Sequence, residues 1–370
     1  MRIARLELKD FKNYERADLS PCEGVNILVG DNAQGKTNLL EALYYLCALR
    51  SFRPLKDKEL IRFEKERADI TAGIVSGRDQ YTLEAGISLE GRRDIRINGV
   101  RIRKTADMLG SLNCVLFSPE DLTLVKGGSA VRRRFVNLSL CQLRPRYFEL
   151  ISEYNRLIVR KSRMLKDYYA KPSLYEAIKA YNQRIAQTGG AVVSYRAWFI
   201  NKLDNFARII HRDIAPGESL RLEYTAGGEN PGEIDEQSDV DRLAEKLETG
   251  LEKELGAKTC LYGPHRDDIT ITLDDMPARL YASQGQARTA ALAIKLAERD
   301  VFFEDTGERP VLLLDDLLSE LDRGRQEYIL ASLGEGQVFI TCCDLNPRAG
   351  ELAGRVFRVE DGVVGPDGES

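Results

Sequence analysis

Apolar positions alternate, and then run together, over the first thirty residues. Ile3, Leu6 and Leu8 mark a strand with one buried face, and Val25, Asn26, Ile27, Leu28 and Val29 form a short run closed by Gly30. Such a run suits a strand buried on both sides. Asn38 to Leu49 (NLLEALYYLCAL) is apolar at helical spacing without Gly or Pro and predicts a helix. Residues 68–102 alternate more loosely around an Ile97-Asn98-Gly99 turn, which predicts antiparallel strands and a hairpin. From about Leu122 to Ile214 the spacing becomes i, i+3, i+4, as in YFELISEYNRLIVRKSRMLKDYY, with one Gly189-Gly190 pair and few prolines. This predicts a helical insertion without the sustained heptads of a long coiled coil. Residues 226–240 read as a polar loop. Ile269–Leu273, Val311–Leu314 and Val338–Thr341 read as strands, Gly285–Phe303 as a helix, and Glu360–Ser370 as a frayed tail.

With 370 residues, 43% hydrophobic and 30% charged, the chain has material for two or three cored domains of about 150 residues each. Its net charge of −4 hides a segregation. Arg92 to Lys166 holds 17 basic and 6 acidic residues, whereas Glu218 to Glu254 holds 12 acidic and 4 basic. A basic region inside an acidic protein predicts a polyanionic partner, and Arg132, Arg133 and Arg134 on the helical insertion are the candidate contacts to its phosphates. A solvated helical face is the alternative reading of the same run. The start of the chain lacks the apolar stretch of a signal peptide, and no run reaches the length of a membrane span. Seven cysteines without CxxC spacing read as reduced thiols of a cytoplasmic protein. Two histidines, His211 and His265, exclude a His-rich metal centre.

The chemistry concentrates in three motifs. Gly30, Asp31, Asn32, Ala33, Gln34, Gly35, Lys36 and Thr37 match the phosphate-binding loop G-x-x-x-x-G-K-[ST] in its required place between a strand and a helix. Its backbone N–H groups would converge on a nucleotide phosphate, Lys36 would reach the terminal phosphate oxygens, and Thr37 would ligate Mg²⁺. The run Val311–Leu314 ends in Asp315 and Asp316, the Walker B form. Asp315 would hold Mg²⁺ through water and Asp316 would orient the attacking water. Adjacent positions on a strand end predict that the two side chains face opposite ways. Ser283, Gln284, Gly285 and Gln286 open an Ala-rich helix. An N-cap serine explains that by itself, but the order relative to Walker B is that of the signature motif of ABC-type ATPases. There this turn binds the γ-phosphate held by the opposite protomer. Ser319, Glu320, Leu321 and Asp322 then stand where the D-loop does.

The chain resembles the RecF family, bacterial recombination-mediator ATPases related to SMC-type heads. The matching segments are LELKDFKNY (6–14), GDNAQGKTNLLEALYYL (30–46), RSFR (50–53), FSPEDLTLVKGG (117–128) and RRRFVN (132–137). They continue through YGPHRDDI (262–269), ASQGQARTA (282–290), LLLDDLLSELD (312–322) and VFITCCD (338–344). The resemblance implies an α/β fold, an ABC/SMC-type P-loop ATPase head with an inserted helical lobe: head residues 1–120, lobe 121–215, head 216–370. It implies an ATP-dependent homodimer that binds single-stranded, gapped and junction DNA, works with RecR and RecO, and promotes RecA loading in gap repair. Two departures from the wider ABC pattern, Asp316 in place of a Glu and Cys343 in place of a switch His, imply slow hydrolysis. Arg50 and Arg53 are candidates to couple DNA to nucleotide. A transporter ATPase, a nuclease with an ATPase head and a purely architectural ATP-bound binder are the competing classes. The first would bring a switch His and a membrane partner, and the second a further cluster of metal-binding acids.

Overall fold

The computed structural model describes residues 1–230, 235–318, 321–334, 336–344 and 353–366. Ser319 and Glu320 of the expected D-loop and residues 367–370 of the expected tail lie outside them. In chain order the strands and helices begin β1 (Arg2–Phe11), β2 (Tyr14–Leu19), β3 (Val25–Val29), α1 (Lys36–Ala48), β4 (Arg67–Ser76), β5 (Asp79–Ser88), β6 (Arg93–Ile97), β7 (Val100–Arg101) and β8 (Cys114–Phe117). Then come α2 (Leu122–Lys126), α3 (Ser129–Leu143), α4 (Pro145–Asp167), α5 (Leu174–Ile214), β9 (Leu220–Thr225), α6 (Glu236–Thr249), α7 (Leu251–Ala257), β10 (Asp268–Leu273), β11 (Met276–Pro277) and α8 (Ala278–Tyr281). The chain closes with α9 (Gln284–Thr306), β12 (Val311–Leu314), α10 (Arg323–Ser332), β13 (Val338–Cys342), β14 (Ala353–Glu360) and β15 (Val363–Pro366).

Two units result: Met1–Asp121 together with Lys295–Ser370, and Leu122–Ile294. In the first, the alternating segments form an antiparallel sheet of order β2-β1-β4-β5-β6-β7. The short apolar runs form a second sheet, β15-β14-β3-β13-β12-β8, parallel except for β15. Helix α1 touches strands of both sheets, which explains why it is apolar nearly all round and buries Leu39, Leu40, Leu43, Tyr45 and Leu46. Cys47 on α1 and Cys114 on β8 are joined as a disulfide. This departs from the reduced state expected of all seven: α1 lies against β8, so their Cα atoms are 6.2 Å apart, within bridging range. The other five cysteines are free. The frayed tail is also corrected. Asp361 (φ +47°) and Gly362 (φ +75°) turn the chain back, and β15 pairs with β14. An Asp-Gly pair between apolar residues is a hairpin signal that the tail reading overlooked.

The second unit is the insertion, but it runs to Ile294 and not to 215. Strand β9 and helix α6 pack on α5, and β10 and β11 extend from β9 as a three-stranded sheet. The lobe expected over 121–215 is therefore only its front half, and Ser283–Gln286 belong to the insertion. Gly189 and Gly190 do not break the helix: both sit inside the 41-residue α5. A Cβ on Gly190 would come within 2.6 Å of the Val240 backbone on α6, so the glycine permits a close helix crossing. The loop expected over 226–240 gives way to α6, whose N-cap Asp235 accepts from the Ser238 N–H. Among the described residues no helix is long and apolar enough to cross a membrane.

Candidate functional site

Three neighbouring parallel strands, β3, β13 and β12, deliver their carboxyl ends to one place, the edge at which open parallel sheets meet ligands. The loop after β3 is Gly30–Thr37. Gly30 packs against β14 so closely that a Cβ would lie 2.1 Å from the Val359 carbonyl oxygen. Gly35 has φ +122°, and a Cβ there would meet the Asn13 side-chain amide at 2.5 Å and the Tyr14 hydroxyl at 2.7 Å. Neither position accepts a side chain. Asn13 Nδ2 and the Gly362 N–H both donate to the Gln34 carbonyl, at 2.7 and 3.2 Å, so the β14–β15 hairpin helps to hold the loop. Asp31, Asn32 and Ala33 are exposed at its tip.

Lys36 is buried, and its ammonium donates to the carbonyls of Gly30 (2.6 Å) and Asp31 (2.9 Å). Helix α1 starts at Gly35 with no side-chain cap and no acid in its first turn, so its positive end faces the loop uncompensated. Thr37 Oγ1 donates to Asp315 Oδ1 at 2.7 Å, which joins two motifs separated by 278 residues. Thr341, at the end of β13, completes the crest: its hydroxyl donates to Asp315 Oδ1 at 3.1 Å and accepts from the Asp316 N–H at 2.8 Å. Thr341 belongs to no motif, and its only signal along the chain is a hydroxyl at the end of an apolar run. Burial pushes the Asp315 carboxyl above its ordinary value; the Thr37 hydroxyl opposes this and the charge of Asp316 adds to it. The predicted divergence of Asp315 and Asp316 is corrected. The strand ends at Leu314 and Asp316 is left-handed (φ +47°), so alternation lapses and the Thr341 hydroxyl lies 3.1 Å from Asp315 Oδ1 and 3.5 Å from Asp316 Oδ1. Cys343, at the expected switch-His position, is exposed and donates to Asn32 Oδ1 at 3.0 Å. Arg53 lies 3.8 Å from the buried Glu41 carboxylate of α1, and Arg50 is exposed.

These residues fit a nucleotide triphosphate with a divalent cation. The uncapped helix end and the buried Lys36 suit phosphate, and Asp315 is a buried carboxylate that accepts from the Thr37 and Thr341 hydroxyls, an oxygen-rich corner that suits a divalent cation. No group of three or more His, Cys, Asp or Glu side chains suited to a metal occurs among the described residues, so a cation here would take its remaining ligands from phosphate oxygens and water.

The insertion carries the other predicted residues. Ser283 and Gln284 are exposed at the start of α9. Ser283 Oγ accepts from the Gln286 N–H (3.2 Å) while Gln286 Oε1 accepts from the Ser283 N–H (2.9 Å), a capping box. The Gln286 amide also donates to Glu218 (3.1 Å), so its side chain is committed within its own unit. The arginine run separates. Arg132 is buried, with Nε and Nη2 on the two oxygens of Asp268 (2.7 and 2.8 Å) and Nη1 on the carbonyls of Leu124 and Gly127. Its three nitrogens are thus engaged in an internal ion pair and two carbonyls, where the sequence expectation had them on DNA phosphates. Arg133 donates to the Asp267 carbonyl at 2.6 Å, and Arg134 is exposed. Lys161, which adds to the basic count, is buried against Glu254.

The YGPHRDDI segment builds a buried network. Arg196 donates to the Pro264 carbonyl (2.6 Å), Asn137 Oδ1 (2.9 Å) and the Tyr147 hydroxyl (3.1 Å). The Tyr154 hydroxyl donates to His265 Nδ1 at 2.6 Å, and burial lowers that imidazole to about 4.

A family model described as the RecF/RecN/SMC N terminal domain matches residues 2–362. A relative from Symbiobacterium thermophilum, described as DNA replication and repair protein RecF, is 40% identical over 371 residues, covering 98% of this chain and 98% of the relative. One of the same description from Clostridium perfringens is 37% identical over 367 residues, covering 98% and 99%. The solved structure of a recombination mediator protein RecF-ATPrS in the RecFOR pathway superposes with a TM-score of 0.92 at 32% identity, over 99% of this chain and 98% of that one. An Smc head domain from Pyrococcus furiosus, at 16% identity and a TM-score of 0.55, shares the fold alone. Loop, acidic strand end and inserted unit thus occur together in one full-length match, and the chain belongs to the RecF family of DNA replication and repair proteins, with the ATPase head fold of the RecF/RecN/SMC class.

Proposed function

We propose that this protein is an ATP-gated DNA clamp of recombinational gap repair and replication restart. The observation that carries the nucleotide part is the 2.7 Å bond between Thr37 and Asp315, which closes a phosphate-binding loop and a Walker B strand into one site. ATP would lie along Gly30–Thr37 with Lys36 against its terminal phosphates, and Thr37 with Asp315 would hold Mg²⁺. The cation would neutralise phosphate charge; Asp316 would accept a proton from water held near the γ-phosphate. Ser283 and the α9 N-terminus would engage the nucleotide of a second copy, which makes ATP the bond of a homodimer. Asp316 is one methylene shorter than Glu, so hydrolysis is slow, and it opens the dimer and releases DNA. The partners are single-stranded, gapped and junction DNA, and RecR with RecO. RecA loading, a link to the SOS response and a cytoplasmic location follow from the same reading. Family membership supports this over an ABC-type ATPase of another system. A purely architectural ATP-bound binder would show no turnover.

Sedimentation of the purified chain with ATP, ADP or no nucleotide, with and without gapped DNA, tests the proposal. A dimer is expected with ATP alone, stabilised by DNA. Lys36→Met should abolish nucleotide binding, whereas Ser283→Arg should bind ATP yet remain a monomer with weak DNA binding. A Ser283→Arg protein that dimerises on ATP would refute the dimer reading.

A further inference from the structure

Three carbonyls at the threshold of the Ser283 turn converge on one ammonium. Lys126, half-buried at the end of α2, donates to the carbonyl oxygens of Ala278 (3.3 Å), Arg279 (3.4 Å) and Ala282. The first two belong to the four-residue helix α8, and the third directly precedes Ser283. The Ala278 carbonyl also accepts the Ala282 N–H at 3.1 Å; carbonyls of a helix's last turn carry its negative end, so a cation is the natural group to gather them.

Lys126 is itself held. Its helix ends at Gly127, whose N–H donates to the Thr123 carbonyl at 2.8 Å; a Cβ on Gly127 would lie 2.4 Å from that oxygen. Arg132 takes the Leu124 and Gly127 carbonyls with one nitrogen while its other two grip Asp268 on β10. A chain of contacts therefore runs from β10 through Arg132 and α2 to Lys126 and the residue before Ser283. The far side of the turn is fastened separately: Gln286 donates to Glu218, and Glu218 accepts from the buried His211 at 3.2 Å. Between these fastenings Ser283 and Gln284 are exposed, and Leu280 and Tyr281, which lead into them along the chain, are 71% and 64% exposed. A serine that only caps α9 needs the capping box with Gln286 and nothing more. An outward-facing turn pinned from both sides, beside an apolar rim, is built to meet a second body in a fixed pose.

We propose that Lys126 is a positioning residue that sets the Ser283 turn for its contact with the nucleotide of a second copy. The inference rests on the dimer reading above. Lys126→Met removes the ammonium and retains the stem; Lys126→Arg restores donors to the same carbonyls. ADP affinity of Lys126→Met should match wild type, because that site belongs to Lys36 and Thr37. Its ATP-dependent self-association with Mg²⁺, read by sedimentation, should weaken by about tenfold or more. The turnover number should fall by a similar factor with little change in KM, and Lys126→Arg should recover most of both. Wild-type association by Lys126→Met, while Ser283→Arg remains a monomer, overturns the inference and leaves the dimer reading intact. ATP-driven association of Ser283→Arg overturns both. If Lys126→Met does not fold, Lys126→Gln, with a shorter, uncharged amide donor, is the test variant: a graded loss of association supports the role and wild-type association refutes it.

Discussion

Arg132→Ala removes a guanidinium whose three nitrogens all have partners inside their own unit, and its consequences are therefore calculable. Nε and Nη2 hold Asp268 at 2.7 and 2.8 Å, and Nη1 holds two carbonyls at 3.3 and 2.8 Å. Breaking a buried ion pair by truncating one partner costs about 3–5 kcal/mol. The Arg132 side chain is 6% exposed, but that of Asp268 is 37% exposed, so water can take over much of the stranded carboxylate. Roughly half the buried-pair value, about 2 kcal/mol, is the discounted expectation, and the two released carbonyls add about 1 kcal/mol. Urea unfolding of the full chain should register a loss of about 2–3 kcal/mol, and a double-mutant cycle with Asp268→Ala should return a coupling of at least about 1 kcal/mol. DNA binding gives the opposing measurement. Each phosphate contact contributes about 0.7–0.9 to the slope of log K against log salt, so anisotropy titrations of a gapped duplex should show an unchanged slope for Arg132→Ala. Wild-type stability together with a slope reduced by about 0.9 would refute the internal role and return Arg132 to the DNA surface.

Three further outcomes are expected. Asp315→Asn should weaken Mg²⁺-ATP binding, because Asp315 bears the bond to Thr37, whereas Asp316→Asn should bind ATP and DNA yet turn over at least about tenfold more slowly; indistinguishable variants in stopped-flow binding and turnover assays would contradict the division. Gly35→Ala, at φ +122° and within 2.5 Å of Asn13, should lower nucleotide affinity and the melting temperature together in calorimetry. Burial holds His265 neutral down to about 4 against an ordinary 6.5, so the native state binds fewer protons than the unfolded one in that window. Its contribution is complete above 6.5 and is lost as pH falls through 4, up to about 3 kcal/mol, and His265→Gln should flatten that acid limb in thermal melts.

The phosphate-binding loop, the strand before it and the helix after it were all legible along the chain, because each is a local pattern: a β-rich run, glycines where side chains cannot fit, then a helix apolar on every face. The strand runs Val311–Leu314 and Val338–Thr341 were legible for the same reason. Their convergence was not: Thr37 and Asp315 meet because β13 lies between β3 and β12, and strand order in a parallel sheet leaves no mark on any one strand. Alternation likewise mispredicted Asp316, since a left-handed residue just past the strand redirects the carboxylate. The insertion reaches past 215 because β9 and α6 pack on α5 and β10 pairs with β9, contacts that the loop and strand patterns of 226–240 and 269–273 do not announce. The arginine run shows the limit most plainly. A charge count along the chain placed Arg132, Arg133 and Arg134 on one polyanion-facing surface, yet Arg132 is buried against Asp268, 136 residues away in sequence. Net charge is a property of composition, whereas the work a charge does depends on its distance from its partner and on the water between them, and folding alone sets both.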